Sequence, residues 1–461
     1  MEFWLFAPFR VPLNIQSERF AANPAAFAAL LPELKKRLPE ALRPFLQLPE
    51  VKTGADTGPR FESMKKHGSD LRSLQVLQLA PSKRGDLIDH CLAEATHGAD
   101  AVLPEAFRGL MAPVETGWQI VLCDNSVAEL WLQVAVSDPE PGLLEYFDRW
   151  STRLAETAVR SILKTLLYPL LDALHELPNR ERGELVRPRL DFEAIFDLRG
   201  ALDKTTGRFS ADYSPLLWVG RVCLLPQQLQ GWHEPLSEWA TALDWGEPIT
   251  DASAAKTYLA WGNSVVIVGT NALPPDGLRD AFLRAQYYFA ALDVLNRNLM
   301  QLYAHLGDSG ERPKQRRLQQ LNARVGRSAV ALDLLAMEYN DTRQEVQGRE
   351  RMYLEKLLAV WGIDDLLEAT QRKLMLARER LQRINRMRSL ISQRRVELLL
   401  IFVGSVALLD LGIKLAEKAG PLEDGQMLGW LNRVSQDSVL TVSILLVVII
   451  CVVAGGWLKR H

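Results

Sequence analysis

Cysteine is scarce in this chain: four in 461 residues (Cys91, Cys123, Cys223 and Cys451), with no CxxC pair among them. That usage excludes a disulfide framework and a structural zinc site, and it fits a soluble region kept in a reducing compartment. Neither charge is in excess, with 54 Lys+Arg against 56 Asp+Glu, so nothing favours duplex nucleic acid as a partner. Neither the phosphate-cradling GxxxxGK[ST] nor GxGxxG occurs. No grouping of nucleophile, base and orienting residue stands out, so the sequence points away from an enzyme, and it names no certain cofactor. The opening MEFWLFAPFRVPLN lacks the charged start, long apolar core and small-residue cleavage site of a signal peptide. Phe3 to Phe6 reads as a short first strand, which leaves targeting to the C-terminal region.

Two long apolar runs are present there. Ser438 to Leu458 (SVLTVSILLVVIICVVAGGWL) carries no charge and is followed by Lys459, Arg460 and His461. As a helix it spans about the 30 Å hydrocarbon thickness of a bilayer, with Trp457 at interfacial depth. Leu398 to Ala416 (LLLIFVGSVALLDLGIKLA) is as long but holds Asp410 and Lys414. These lie one turn apart and can pair on one face. Either they face a bundle interior or water, or they snorkel at the outer interface, or this run never enters the membrane. Before the first run stand Arg378, Arg380, Arg383, Arg386, Arg388, Arg394 and Arg395, against Glu379 alone. The connecting loop, Glu417 to Asp437, is acidic and poor in Lys and Arg. The positive-inside rule then predicts a multi-pass protein of a bacterial-type inner membrane with both termini in the cytoplasm.

Ahead of these runs the chain reads first as mixed α and β, then as helix only. Helix is predicted for Pro24 to Leu46, a loop for 52–70, a strand for Leu74 to Leu79 and a hairpin for Gly117 to Val136. An amphipathic helix over Leu143 to Leu177 should break or kink near Pro169. A second strand–helix portion follows: a strand over Pro215 to Leu225, a helix over Trp232 to Leu243, and a hairpin over Thr257 to Val268 around Gly262 and Asn263. Helices are then predicted for Leu278 to Leu306, Pro313 to Val346 and Glu350 to Trp361. A last one starts near Asp364 and runs unbroken into the first apolar run. Its stripe (Leu367, Thr370, Leu374, Ala377, Leu381, Ile384, Arg388, Ile391) is either packed within its own subunit or forms an oligomer seam continuing into a pore. The second is preferred, because two membrane helices bury little by themselves. The expected fold is thus an α+β cytoplasmic domain, a long helical stalk and two C-terminal transmembrane helices. The expected domains are 1–277, with a subdomain break near 180–210, then 278–395 and 396–461.

This layout resembles the CorA family of divalent-cation channels. The stalk from Asp364, the basic cluster Arg386, Arg388, Arg394 and Arg395 at the membrane entrance, and the ending WLKRH carry the resemblance, over roughly Leu278 to His461. It implies a homo-oligomer, a pentamer in that family, in a lipid bilayer, with the first membrane helix lining the pore. Gly404, Ser405, Asp410 and Lys414 become the pore-lining candidates. The family's Gly-Met-Asn signature is absent; LGIKLAEKAGPLEDGQMLGW stands where it belongs. A divalent cation such as Mg²⁺ therefore stays a candidate without its selectivity motif. Rings of acidic side chains favour cations, whereas the arginines at the inner mouth oppose them. Asp410 and Glu397 lie about 220° apart around an ideal helix and do not share a face.

CorA-like chains lacking the signature also resemble membrane effectors found beside bacterial antiviral systems, type III CRISPR loci among them. A nucleotide second messenger sensed by the cytoplasmic region is then a candidate ligand. The alternatives stand as an ion channel or transporter, a signal-gated effector, and a non-conducting scaffold.

Three lesser features complete the candidates. Asp364, Asp365 and Glu368 mark a helix start, where acids are favoured, or a cation sensor between subunits. His90 and His97, with Asp89, share one helix face and are a metal site or an exposed surface. Trp218, Trp232, Trp239, Trp245 and Trp261 are core packing or a base-stacking pocket.

Overall fold

The computed structural model describes residues 1–12, 75–77, 81–97, 103–114, 118–123, 126–137, 139–169, 208–210, 212–227, 230–240, 249–250, 256–268, 277–308 and 315–418, with a few single positions besides. The predicted helix over Pro24 to Leu46, the loop over 52–70, the turn at Asp124 and Asn125, and Trp245 lie outside these residues, apart from Lys36, which is helical. So does most of the second apolar run, in which Thr441, Ile444, Leu445 and Val448 are described and helical.

Among the described residues nine strands form one sheet. They are β1 (Glu2–Arg10), β2 (Gln75–Leu77), β3 (Met111–Pro113), β4 (Gln119–Leu122), β5 (Val127–Val136), β6 (Gly220–Pro226), β7 (Ile249–Thr250), β8 (Lys256–Tyr258) and β9 (Asn263–Val268). Their order is β2-β4-β5-β1-β6-β9-β8-β7, with β3 pairing β5. β1 is central and antiparallel to both neighbours, from Glu2↔Ala135 to Arg10↔Val127 on one side and from Glu2↔Leu224 to Phe6↔Gly220 on the other. β6 and β9 run parallel. Strands from both sides of residues 180–210 therefore share one sheet. The short strand expected at Phe3 to Phe6 is nine residues long, because both of its faces are covered and both of its edges are paired.

Period-two alternation sends successive β1 residues to opposite faces. Phe3, Leu5 and Phe9 join the core built with α1 (Pro81–His97), α2 (Leu144–Ile162) and α3 (His233–Trp239). There the Phe3 and Phe147 rings lie 4.0 Å apart and Trp239 meets Phe3 edge-on at 5.7 Å. Each such side chain contributes about 1.5–3 kcal/mol of burial. Phe6 points the other way and stacks on Phe282 at 5.0 Å. The break expected near Pro169 is a π turn, Leu163–Leu167, after which Tyr168 and Pro169 stay helical. Proline removes one ladder donor and crowds the preceding turn; a wider turn absorbs both.

The second face of the sheet is covered by α4 (Leu278–Asp308). Its Gln286 lies so close above Gly220 that a Cβ there would meet the amide nitrogen at 2.3 Å. The same Gln286 accepts the Trp218 indole N–H at 2.5 Å. Behind α4 stand α5 (Gln315–Glu345), α6 (Gly348–Val360) and the start of α7 (Ile363–Lys418). Their joints are polar and buried: Tyr287 Oη donates to Glu338 at 3.3 Å, Tyr288 Oη shares a 2.5 Å bond with Thr342, and Arg284 pairs with Glu350 at 2.7 Å. Two compact units result. One holds Met1–Gly307 and Arg316–Ala377, the other Asp308–Gln315 and Arg378–His461. The sheet and the bundle helices thus belong to one unit.

Candidate functional site

α7 carries nearly every candidate the sequence offers. Its start is set by Gly362, whose φ of +60° suits a residue without a Cβ. Gly362 N–H closes α6 on the Ala359 carbonyl, and its own carbonyl accepts Leu366 N–H to open α7. Trp361 fixes this turn. Its indole N–H donates to the Ala260 carbonyl at 3.3 Å, and its ring meets Trp261 and Phe282 at 5.5 and 5.9 Å.

The three carboxylates of the first turns do not converge. Asp364 accepts from Tyr339 Oη at 2.8 Å and Arg343 Nη1 at 3.1 Å, while Glu368 pairs with Arg372. Burial, and then the Asp364 carboxylate, push the Tyr339 phenol above its usual range. Among the described residues no three His, Cys, Asp or Glu side chains come together as a metal site, and both His90 and His97 are exposed.

The apolar stripe of α7, preferred as an oligomer seam, is packed within the chain where it begins. Thr370, Leu374 and Ala377 are buried, and Lys373 Nζ donates to Asn296 of α4 at 2.6 Å. A stripe pattern reports that a face is covered, not by which chain, and here the chain itself buries it.

Beyond this stretch the helix changes character. Arg378, Arg383 and Arg386 are exposed, whereas Arg380, Arg388 and Arg394 are half-buried. Arg395 is helical. Then come Val396, Leu399, Leu400, Phe402, Val403 and Val406, all exposed, up to 65 % at Leu400. The helix is long and apolar enough to cross a membrane, and its most apolar window is only 12 % buried. A core helix of a soluble fold would have that face covered.

Within this stretch Ser405 is the exception, 3 % exposed, with its hydroxyl donating to the Ile401 carbonyl at 2.7 Å. Beside it a Cβ on Gly404 would meet no atom within 4 Å. Asp410 and Lys414 form the expected one-turn pair, at 2.5 Å, with both side chains more than half exposed. The two charges cancel on one face, which lowers the cost of placing either in hydrocarbon.

Sequence reasoning missed two buried polar features on the sheet. Arg221 of β6 is held by Ser151, Thr152 and the Asp148 carbonyl at 2.7 Å each, with the Asp148 carboxylate at 3.5 Å. That carboxylate also takes the Trp239 indole N–H at 2.8 Å. Burial lowers the Arg221 pKa, and Asp148 counters it. Glu129 of β5 is 1 % exposed, and neither carboxyl oxygen has a hydrogen-bond partner among the described residues. The signal for both was a single charge inside an apolar strand run, VGRVCLL and VAELWLQVAV.

The tryptophans divide between two environments. Trp232 and Trp239 lie in the core, while Trp218 and Trp261 gather with Phe289 and Trp361, and Trp261 is 44 % exposed. Cys91, Cys123 and Cys223 are buried, and burial pushes the Cys91 thiol up to about 11, so it is unreactive.

Compared with family models, with curated proteins and with solved structures, the chain matches none.

Proposed function

We propose that this chain is an oligomeric membrane ion channel or transporter of CorA-like architecture. In this reading α7 is the first and pore-lining membrane helix, the run Ser438 to Leu458 is the second, and the sheet and bundle form a cytoplasmic regulatory domain. The observation that carries it is the single helix Ile363–Lys418. It begins in a polar, buried bundle, passes a run of arginines and continues as an exposed apolar surface bearing one Asp–Lys pair. An anchor needs only the apolar surface. A charged pair, a buried serine and a glycine within it are what a polar path requires.

The Asp410–Lys414 pair makes the wall of such a path locally neutral, and each partner hides the other. Asp410→Asn would leave a ring of lysines. The expected result in planar bilayers is a fall in cation conductance and a reversal potential displaced towards that of the anion. Lys414→Gln should displace it the opposite way. Identical reversal potentials in both variants would remove the pair from the path.

A nucleotide-responsive form of this reading is favoured by Trp261. Its exposed indole stands against Trp361, the residue that fixes the start of α7. A base stacked on it would act at the root of the membrane helix.

A further inference from the structure

We propose that the arginines at the foot of the apolar stretch of α7, Arg386 and Arg394 foremost, bind the headgroups of anionic phospholipids, so that the protein requires such lipids for its stability. This rests on α7 crossing a bilayer, as proposed above. Three observations carry it.

The first is charge. Seven arginines stand against one glutamate between Arg378 and Arg395, in a chain whose net charge is only −2. So local an excess repels itself unless an anion neutralises it. Arg380 and Arg388 already have partners within the protein.

The second is placement around the helix. Successive residues step by about 100°, so Arg378, Arg386, Arg383 and Arg394 fall within an arc of about 160°. Arg380 and Arg388 fall on the other side, towards the arc of the buried Leu374 and Ala377. These four arginines, of which Arg378, Arg383 and Arg386 are exposed and Arg394 is half-buried, therefore share one side of the helix.

The third is position along the axis. Arg394 precedes Val396, where the exposed apolar stretch Val396 to Val406 begins, by two positions, about 3 Å at 1.5 Å per residue. Arg386 lies about 15 Å before it, within reach of the headgroup layer through its long side chain and the surface potential. Guanidinium and exposed hydrocarbon surface thus follow one another on one helix. A nucleotide or nucleic acid would satisfy the arginines alone. An anionic phospholipid offers phosphate to the first and acyl chain to the second, and guanidinium grips phosphate through paired N–H donors.

The test uses the full-length protein in a neutral detergent. Its unfolding midpoint is measured after adding equal amounts of phosphatidylglycerol or phosphatidylcholine. The expected result is a midpoint higher by about 3 °C or more with phosphatidylglycerol. Half or more of that rise should disappear in R386Q/R394Q and in 0.5 M salt. R383Q/R394Q serves as the second pair if the first lowers the lipid-free midpoint. Equal shifts with both lipids, or a full shift retained in both double variants, would overturn the proposal. A rise reproduced by inorganic pyrophosphate alone would also overturn it, by assigning the arginines to a soluble phosphate ligand. A chain that fractionates and stays monodisperse without detergent would instead remove the membrane reading beneath it.

Discussion

Glu129 sets a pH dependence at the scale of one residue. Its carboxyl is fully enclosed, no described donor reaches it, and burial pushes its pKa well above the usual 4.5. The folded state therefore holds a proton that the unfolded chain releases above pH 4.5. Stability from this group is complete below that pH. It is lost as pH rises towards the folded pKa, by up to about 1.4 kcal/mol per unit. Glu129→Gln carries no such charge, so its unfolding midpoint relative to wild type should climb between pH 5 and pH 8. A constant difference across that range would show that the carboxyl is ionised in the fold. Arg221 is the opposite case, a charge buried with its partners. Arg221→Ala should cost about 1–3 kcal/mol, because it leaves the buried Ser151 hydroxyl and the Asp148 carbonyl without their donor, while the half-exposed Asp148 carboxylate turns to water; denaturant unfolding reads it directly. Neither role was legible in the sequence. A lone charge in a strand marks a burial problem, but whether partners solve it depends on residues far away, such as Asp148 and Asn263 for Arg221.

Among the elements, the four helices between Leu278 and Lys418 were legible to within a few residues, since their periodicity is long. Gly362 separates α6 from α7 where the sequence placed that boundary. The antiparallel pairs β4–β5 and β8–β9 were equally plain, because strand alternation is strong on both sides of each short connection. The pairing of β1 between β5 and β6 was not, since register between distant strands leaves no local mark. Nor was the cover on the α7 stripe: Thr370, Leu374 and Ala377 read alike whether their own chain or a second subunit packs on them. The joint between α4 and α6 gives a test. Gly277 sits at φ +79°, and a Cβ there would meet Glu350 Cα at 2.9 Å. Glu350 also holds Arg284 through its Nε; Arg284 is 1 % exposed, and its two terminal amino groups have no partner among the described residues. Glu350→Ala strands a buried guanidinium and should destabilise the protein by about 3–5 kcal/mol. The double variant Arg284→Met/Glu350→Ala should recover most of that loss. A double variant as unstable as the single one would mean that the residues support the joint by shape rather than by charge.

For the whole molecule, the two ends of α7 lie in opposite chemical surroundings. Its first turns are polar and covered, its later turns apolar and uncovered, and the arginines stand between them. An exposed surface of leucine, valine and phenylalanine of this extent does not persist in water, so lipid, a second helix or other subunits must cover it. The proposed oligomeric pore would answer that need with all three. Its simplest consequence is a mass. Light scattering on the full-length protein in detergent, with the detergent contribution subtracted, should give a single species at an integral multiple of the 51.9 kDa chain, five being the number the CorA-like layout implies. A clean monomer across the concentration range would contradict the pore and leave α7 as an anchor for the sheet and bundle.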